Sequence, residues 1–336
     1  MALFWYGIIG VSLVAYAILD GFDLGVGCLH LLGKTDLDRR IFLNAIGPVW
    51  DGNEVWLIII FGGLFAGFPA VYATLCSVFY SLIMAMIAGI IFRAVSIEFR
   101  SKRESKKWRS FWDIAFSVSS VFMSFIMGVI VGNVVEGVPI DALGVYNSTF
   151  LDFFTPYPIL VGITSIFLFS MHGAVFLLMK TEGELHRDLR KYVMVCIALF
   201  MICYVGLTLY TIAYRPFMTQ MIVRYPAVGL IGVFAFLAIL NIGRCIKKGY
   251  DGWAFISSSI SILLLIALFA SGTYPVMIRS TLDASYSLTY QSSSASPVTL
   301  KILMIVVIIG IPLVLAYGAW IYRIFRGKVV LDEGSY

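Results

Sequence analysis

The chain has 336 residues, of which 60% are hydrophobic, 15% aromatic and only 13% charged. An ordinary soluble domain carries about 25% charged residues, so this composition, with a mean hydropathy of +0.95, excludes a water-soluble globular protein. The net charge of +5 comes from few charges on a very apolar chain, which argues against a nucleic-acid-binding surface. The five cysteines form no C-x-x-C pair, so we expect no disulfide framework, no zinc site and no covalently attached haem.

Nine apolar segments are each long enough to cross a bilayer, which takes about 20 residues per helix. The N-terminal segment lacks the basic residues and the cleavage site of a signal peptide, so we expect it to be the first spanning helix. Most connections are too short to fold alone, and the sequence therefore predicts a single all-α membrane domain over residues 1–336. The predicted helices are 3–31, 48–66, 70–93, 111–135, 157–179, 191–214, 226–245, 252–271 and 300–324.

The positive charges predict the orientation of these helices, because Lys and Arg are retained on the cytoplasmic side. Of the 24 Lys and Arg residues, 20 fall in alternate connections and in the C-terminal tail. This distribution predicts an odd number of helices, with the N-terminus outside and the C-terminus in the cytoplasm. The longest outer connection, residues 272–299, is rich in Ser, Thr and Tyr; we expect a solvated connector, with a lid as the alternative.

The first predicted helix carries two acidic residues, Asp20 and Asp23, in its cytoplasmic half. Ionisable groups inside a spanning helix cost about 2.5–3.5 kcal/mol each on insertion scales, so two of them suggest a function. Their i, i+3 spacing places both carboxylates on one helical face. Three glycines in the same turns, Gly21, Gly25 and Gly27, would allow another helix or a partner subunit to approach closely. The alternative is a purely structural polar pair hydrogen-bonded to a neighbouring helix.

The second predicted helix begins with Pro48 and places Asp51 and Glu54 one turn apart, next to Trp50. Both acidic clusters flank the same short connection, so we expect them to converge and to exchange protons near neutral pH. For Asp51 the alternative is a favourable charge in the first helical turn, with no further role. For Trp50 the alternative is a position in the interfacial aromatic belt.

The remaining polar residues within or beside the helices receive simpler interpretations. His172 lies within a predicted span and is the candidate haem ligand if the chain binds haem alone. Arg93, Lys180 and Lys301 lie at predicted helix ends, where we expect their side chains to extend to the membrane surface. Asn133 and Glu136 are expected to cap a helix. No nucleotide-binding, zinc-protease or nucleophile-elbow motif is present.

Two stretches, DGFDLGVG at residues 20–27 and PVWDGNEVWL at residues 48–57, resemble the signature sequences of subunit II of cytochrome bd quinol oxidase. Similar stretches follow in order over most of the chain, which makes the combined pattern far more specific than one motif. They are Phe92-Arg93, Glu98 to Lys102, Trp108-Arg109, Trp112-Asp113, Gly132-Asn133, Gly137-Val138-Pro139, Thr181 to Leu185 and Ala284 to Thr289.

The resemblance implies a nine-helix subunit, arranged as two four-helix bundles plus one peripheral helix, in the bacterial cytoplasmic membrane. Its partner would be subunit I, which in this family carries two b haems, haem d and the quinol site. Subunit II would bind no haem and would be required for assembly. The complex would oxidise quinol and reduce O₂ to water with cytoplasmic protons. Lipid and quinone would surround the complex, and the resemblance allows a small single-helix accessory subunit.

Carried over by motif, the resemblance implies that Asp20, Asp23 and Asp51, with Trp50 beside the last, line a proton path. Glu54 departs from family members that carry an amide at the matching position. Two other functions compete with this interpretation. A proton-coupled secondary transporter would show broken helices in corresponding positions of two halves, and a free-standing b-type cytochrome would need facing axial ligands.

Overall fold

The structure, a computed structural model, describes residues 1–142 and 149–331. Twelve α-helices and one short two-stranded sheet make up this part of the chain. The helices are α1 (Ala2–Leu29), α2 (Asp36–Ile46), α3 (Trp50–Gly67), α4 (Pro69–Val78), α5 (Tyr80–Phe99), α6 (Lys106–Glu136), α7 (Pro156–Lys180), α8 (Gly183–Tyr214), α9 (Gln220–Arg224), α10 (Gly229–Lys247), α11 (Asp251–Thr273) and α12 (Pro297–Ile324). The strands are β1 (Val276–Ile278) and β2 (Leu288–Thr289).

Eight helices in the described residues are long and apolar enough to span a membrane: α1, α5, α6, α7, α8, α10, α11 and α12. The helices α2 and α3 form a pair bent by 48°, which would count as a ninth span if the pair crosses as one unit. The predicted all-helical membrane architecture is therefore confirmed. The predicted segment 48–66 corresponds to α3, which begins at Trp50 rather than at Pro48.

The predicted helix 70–93 is wrong in two respects. A turn at Phe79 divides it into α4 and α5, and α5 continues to Phe99. The helices α6 and α8 likewise begin at Lys106 and Gly183, several residues before the apolar segments that predicted them. The extensions of α5, α6 and α8 have the same physical reason. Backbone hydrogen bonding continues through polar turns beyond the apolar part of a span.

The helix α1 lies at the centre of the fold and packs against α7, α6 and α3. Its contact with α7 is a backbone-to-backbone crossing of small residues. A Cβ added to Gly25 would lie 1.8 Å from the Phe169 carbonyl oxygen, and one added to Gly173 would lie 2.4 Å from the backbone of Gly25. Only glycine allows this approach, and the crossing brings the acidic turn of α1 into the interior of the helix bundle.

Residues 272–299 form an ordered segment that is partly buried and partly exposed, so the predicted solvated connector holds only in part. The strands β1 and β2 pair antiparallel, and Ile278 and Tyr290 are buried against the helices. The backbone of Val138, beyond the end of α6, donates to the Arg279 carbonyl at 2.9 Å. Exposed Ser and Thr residues close local turns, as between Thr289 and Ser292.

Polar contacts gather the basic connections at one end of the bundle. Lys34, beyond α1, donates to Asp188 near the start of α8 at 2.6 Å. Lys180, at the end of α7, donates to the Phe325 carbonyl beyond α12 at 2.7 Å. We call the end of the bundle that carries these contacts the basic end. At the opposite end, the Trp5 indole donates to the Leu300 carbonyl at 3.1 Å.

Candidate functional site

A buried arginine joins two of the predicted acidic residues. The Arg93 Nη2 donates to Asp20 Oδ1 at 2.5 Å and also donates to the Glu54 carboxylate. The side chains of Arg93 and Asp20 have no exposed surface, and that of Glu54 is 18% exposed. With Asp23 and Asn53, described below, these three residues form what we call the Arg93 cluster.

Three different helices supply the charged residues of the Arg93 cluster. Asp20 lies on α1, roughly 14 Å before its last residue at 1.5 Å per residue, and Glu54 lies one turn into α3. Arg93 lies inside α5, because this helix extends to Phe99. The prediction that Arg93 extends to the membrane surface is therefore wrong, since two carboxylates hold its side chain in the interior.

Asp23 belongs to the same cluster through Asn53. The Asn53 Nδ2 donates to Asp23 Oδ2 at 2.7 Å and reaches the Leu19 carbonyl at 3.3 Å. On its other side, the Tyr322 hydroxyl of α12 donates to Asn53 Oδ1 at 2.8 Å. Asp23 is fully buried, so these bonds satisfy one of its two carboxylate oxygens.

Several buried polar atoms of the cluster have no hydrogen-bond partner within residues 1–142 and 149–331. They are Asp20 Oδ2, Asp23 Oδ1 and the Nε and Nη1 of Arg93. The cluster thus holds one guanidinium, which binds two carboxylates, and a third carboxyl group bound by Asn53. Buried polar atoms are normally paired because leaving them unpaired is costly. The unpaired oxygens of Asp20 and Asp23 therefore distinguish this cluster from an ordinary buried ion pair.

The structure separates Asp51 from the other three predicted acids. Its side chain is exposed in the first turn of α3, one turn before Glu54, while Trp50 beside it is half-buried and packs against the hydrophobic core. Glu54 therefore lies between the exposed Asp51 and the buried Asp20. The predicted convergence holds for Asp20, Asp23 and Glu54, and Asp51 lies at the outer edge of that group.

The three glycines of α1 pack inside this chain. A Cβ on Gly21 would lie 2.9 Å from the Phe169 ring, and one on Gly27 would lie 1.9 Å from Ser120 Oγ; Gly25 crosses α7 as described above. All three are buried. The predicted close approach is thus made by α7 and α6 of this chain, so of the two expected alternatives, another helix or a partner subunit, the first holds for these glycines.

A second buried charge cluster, which the sequence analysis missed, lies at the basic end. Asp113 of α6 accepts from Arg100 Nε at 2.6 Å and from Arg39 Nη1 at 3.0 Å, and its Oδ1 lies 2.6 Å from His30 Nε2. Arg100 also donates to Asp36 at 2.7 Å. We call this the Asp113 cluster. Arg100 and Asp113 both fall in stretches that carried the family resemblance, but their contact with α1 and α2 is not visible in the spacing.

His172 is engaged at both ring nitrogens. Its Nδ1 lies 2.8 Å from Ser258 Oγ and its Nε2 lies 2.9 Å from the Ile18 carbonyl oxygen. The ring stacks on Phe255 and is fully buried. This arrangement ties α7 to α11 and α1 and leaves no nitrogen for an iron atom. No group of three or more His, Cys, Asp or Glu residues that could hold a metal ion occurs in the described ranges.

At the opposite end, Asn133 and Glu136 connect separate elements of the chain in addition to ending α6. Glu136 pairs with Arg215 and accepts from the Thr155 hydroxyl at 2.6 Å. Asn133 donates to the Phe153 carbonyl at 2.9 Å. The expectation of simple caps is thus incomplete, since both residues also bind partners far away in sequence. They line a cleft of about 510 Å³.

Comparisons with known proteins agree over almost the whole chain. A family model described as cytochrome bd terminal oxidase subunit II matches residues 1–325. Subunit 2 of the cytochrome bd-I ubiquinol oxidase of Escherichia coli K12 is 30% identical over 367 residues, covering 98% of this chain and 95% of the relative. Subunit 2 of the Bacillus subtilis cytochrome bd ubiquinol oxidase is also 30% identical, covering 98% and 97%. A chain of the Geobacillus thermodenitrificans bd oxidase shares the fold with a TM-score of 0.79 at 18% identity, covering 96% and 98%.

Proposed function

The chain belongs to the cytochrome bd terminal oxidase subunit II family, and on this premise we propose that it carries protons from the cytoplasm toward a haem-bearing subunit I. As a member of this family it is a subunit of an oxidoreductase complex and a multi-pass bacterial membrane protein. The complex would oxidise quinol and reduce O₂ to water. The observation that carries the proposal is the Arg93 cluster, in which buried carboxyl groups with open oxygens lie inside a membrane span.

The haems of the complex, two b haems and haem d, would belong to subunit I. His172, the candidate ligand within a span, does not fit haem ligation, because both of its ring nitrogens are hydrogen-bonded. This chain would instead stabilise subunit I and supply protons to it. The alternative of a free-standing b-type cytochrome loses its candidate ligand.

The proton route would begin at Asp51. Its exposed carboxyl group in the first turn of α3 can exchange protons with water, and Trp50 fixes the start of that helix against the core. Glu54 follows one turn later and is partly exposed. It can therefore receive a proton from the surface and pass it inward, a role that an amide at this position could not perform.

The route would continue from Glu54 to the two acids of α1. Arg93 holds Glu54 and Asp20 on the same guanidinium, so a proton that leaves one carboxyl group has a second acceptor beside it. Asp23 lies one turn nearer the basic end of α1 than Asp20, with Oδ1 open, and would serve as a second acceptor beside Asp20. Because the cluster holds three carboxyl groups and one arginine, bound protons would balance its excess negative charge.

The membrane arrangement that we propose is one domain of nine spanning helices, with the bent α2 and α3 pair as one span. The basic end would face the cytoplasm, with the N-terminus outside, in the cytoplasmic membrane. The proposed arrangement of two four-helix bundles plus a peripheral helix is supported by α12, which has a single buried side chain, Leu300. The exposed apolar faces would contact subunit I, lipid, quinone and a small accessory subunit.

The transporter alternative finds no support. The family match accounts for residues 1–325, and the helix interruptions at Phe79 and between α2 and α3 both lie in the N-terminal half. A transporter of the inverted-repeat type would require a matching interruption in the other half.

The test of the proposed route uses Asp20→Asn, Asp23→Asn and the double variant in the assembled oxidase. We expect each single variant to slow O₂ reduction, and the double variant to be only slightly slower than the slower single one, because the two acids act in one relay. Turnover per haem is measured over roughly pH 5.5 to 9, with haem content as the control for assembly. Strictly multiplicative losses at every pH, or full turnover in Asp23→Asn, would contradict the proposal.

A further inference from the structure

The last helix reaches the acidic cluster through a single side chain. Tyr322 lies two residues before the end of α12 and is half-buried. Its hydroxyl donates to Asn53 Oδ1 at 2.8 Å, and Asn53 Nδ2 donates to Asp23 Oδ2 at 2.7 Å. A phenol on α12 is thus connected to a buried carboxyl group on α1 by one amide.

The amide of Asn53 has one acceptor end and one donor end, so its orientation decides what Asp23 receives. In the observed orientation Nδ2 faces two acceptors, Asp23 Oδ2 and the Leu19 carbonyl. A rotated amide would point its oxygen at both of them. The two acceptors select the observed orientation because neither can donate, and the Tyr322 hydroxyl holds the amide in place from the other side by donating to Oδ1.

The same orientation determines which oxygen of Asp23 is open. The bond from Asn53 occupies Oδ2, whereas Oδ1 has no partner in the described part of the chain. A proton that reaches Asp23 therefore binds at Oδ1, on a carboxyl group that cannot turn without losing the bond from Asn53. This fixes the geometry of a relay step, which is the property that positioning residues supply.

The position of Tyr322 depends on polar contacts at the basic end. Few side chains of α12 are buried, and the one fully buried, Leu300, lies at the opposite end. Beyond the helix, the Phe325 carbonyl accepts from Lys180 at 2.7 Å, and Val329 N donates to the Lys180 carbonyl at 2.9 Å. Lys328 also donates to the Leu178 carbonyl at 3.0 Å. These bonds hold the end of α12 against α7 and keep the phenol within reach of Asn53.

We propose that Tyr322 is a positioning residue for proton transfer, which acts through Asn53 to hold Asp23 with Oδ1 open. This inference rests on the proposed proton route. It adds a residue that touches none of the predicted acids, and it makes the docking of α12 a requirement for that route.

The experiment compares Tyr322→Phe with Tyr317→Phe in the complete oxidase. Tyr317 is the matched control, because it lies on the same helix and is exposed. We expect Tyr322→Phe to lower turnover per haem by roughly three- to tenfold, the effect of one lost hydrogen bond on a charged network, and to move the pH profile of turnover. Tyr317→Phe should change neither quantity, and haem content should stay normal in both variants.

A double-mutant cycle with Asn53→Leu separates positioning from packing. If Tyr322 acts through Asn53, Tyr322→Phe should cause no further loss and no further movement of the pH profile in the Asn53→Leu background. Multiplicative losses would overturn the inference, as would a Tyr322→Phe enzyme that behaves like the Tyr317→Phe control. A loss of haem in Tyr322→Phe alone would also overturn it, because the phenol would then act by packing α12.

The two proposals fail in different ways. Full turnover in Asp23→Asn would refute the proton route itself. Slow turnover in Asp23→Asn together with normal turnover and an unchanged pH profile in Tyr322→Phe would refute only the role of Tyr322.

Discussion

The Arg93 cluster and the Asp113 cluster both combine buried arginine and carboxylate side chains, but they differ in how completely the carboxyl oxygens are bound. In the Asp113 cluster one carboxylate is surrounded by His30, Arg39 and Arg100, and both of its oxygens are engaged. In the Arg93 cluster one guanidinium binds two carboxylates, Asp23 is bound by Asn53 instead, and one oxygen each of Asp20 and Asp23 has no hydrogen-bond partner in the described residues. A carboxylate bound on both oxygens has a fixed structural role, whereas on the proposed route an open carboxyl oxygen would leave a place for a proton. The comparison teaches that composition alone does not separate a structural cluster from a proton-carrying one.

Breaking the Asp113 cluster should have the largest effect on the amount of protein. Asp113→Asn would remove the buried carboxylate that pairs with both Arg39 and the 1% exposed Arg100, and would leave Arg100 only its bond to the exposed Asp36. Breaking one partner of a buried ion pair costs about 3–5 kcal/mol, so we expect little haem-containing oxidase to accumulate in the membrane. The measurement is haem per membrane protein, with Glu104→Gln, an exposed acid in the preceding loop, as the control. Normal haem content in Asp113→Asn would show that this cluster is not structural.

Removing the central cation of the Arg93 cluster should have the next largest effect. Arg93→Gln leaves Asp20 and Glu54 without their shared partner, and we expect both the yield and the turnover to fall. Adding Glu54→Gln removes one of the unpaired carboxyl groups, so the yield should recover in the double variant while the turnover per haem stays low. Recovery of both quantities together would mean that Glu54 and Arg93 serve only the fold.

The sequence predicted the helical architecture well, because long apolar segments are a direct consequence of bilayer thickness. It could not predict that α5 extends past Arg93 or that α4 ends at Val78, since helix ends in polar turns depend on tertiary contacts. The contacts of the Ser- and Thr-rich segment 272–299 could not be predicted either. Its buried residues, such as Ile278 and Tyr290, are too few to produce a pattern.

The acids of the candidate site were predictable, and their partners were not. Asp20, Asp23 and Glu54 could be identified because charged residues are rare in apolar segments. Arg93 was assigned to a helix end, which made an exposed position the simpler expectation. Asn53 and Tyr322 are ordinary residues in sequence, and they are separated by most of the chain before folding joins them. Contacts of this kind carry no periodic signal.

A smaller effect is expected at the exposed edge of the Arg93 cluster. Asp51→Asn should lower O₂ consumption while haem content stays near normal, because the side chain is exposed and its removal leaves no buried charge unpaired. The measurement is turnover per haem, compared with Glu54→Gln, for which we expect a larger loss of turnover because Glu54 lies between Asp51 and Asp20 on the proposed route. If Asp51→Asn loses haem and protein together, the carboxylate serves the first turn of α3 through the helix dipole and is not a proton entry point.

The smallest effect is expected for the exposed ion pair at the basic end. The hydrogen bond and the charge of Asp188 raise the pKa of the Lys34 ammonium group above its ordinary value. A raised lysine pKa contributes stability that is fully present below about pH 10 and is lost only as the pH rises through the folded-state value. Exposed pairs contribute little in any case. Lys34→Met should therefore leave haem content, turnover and the rate of thermal inactivation unchanged between roughly pH 6 and 9. A pH-dependent change in this range would contradict the comparison, because it would mean that a surface charge at the basic end controls the protons of the buried acids.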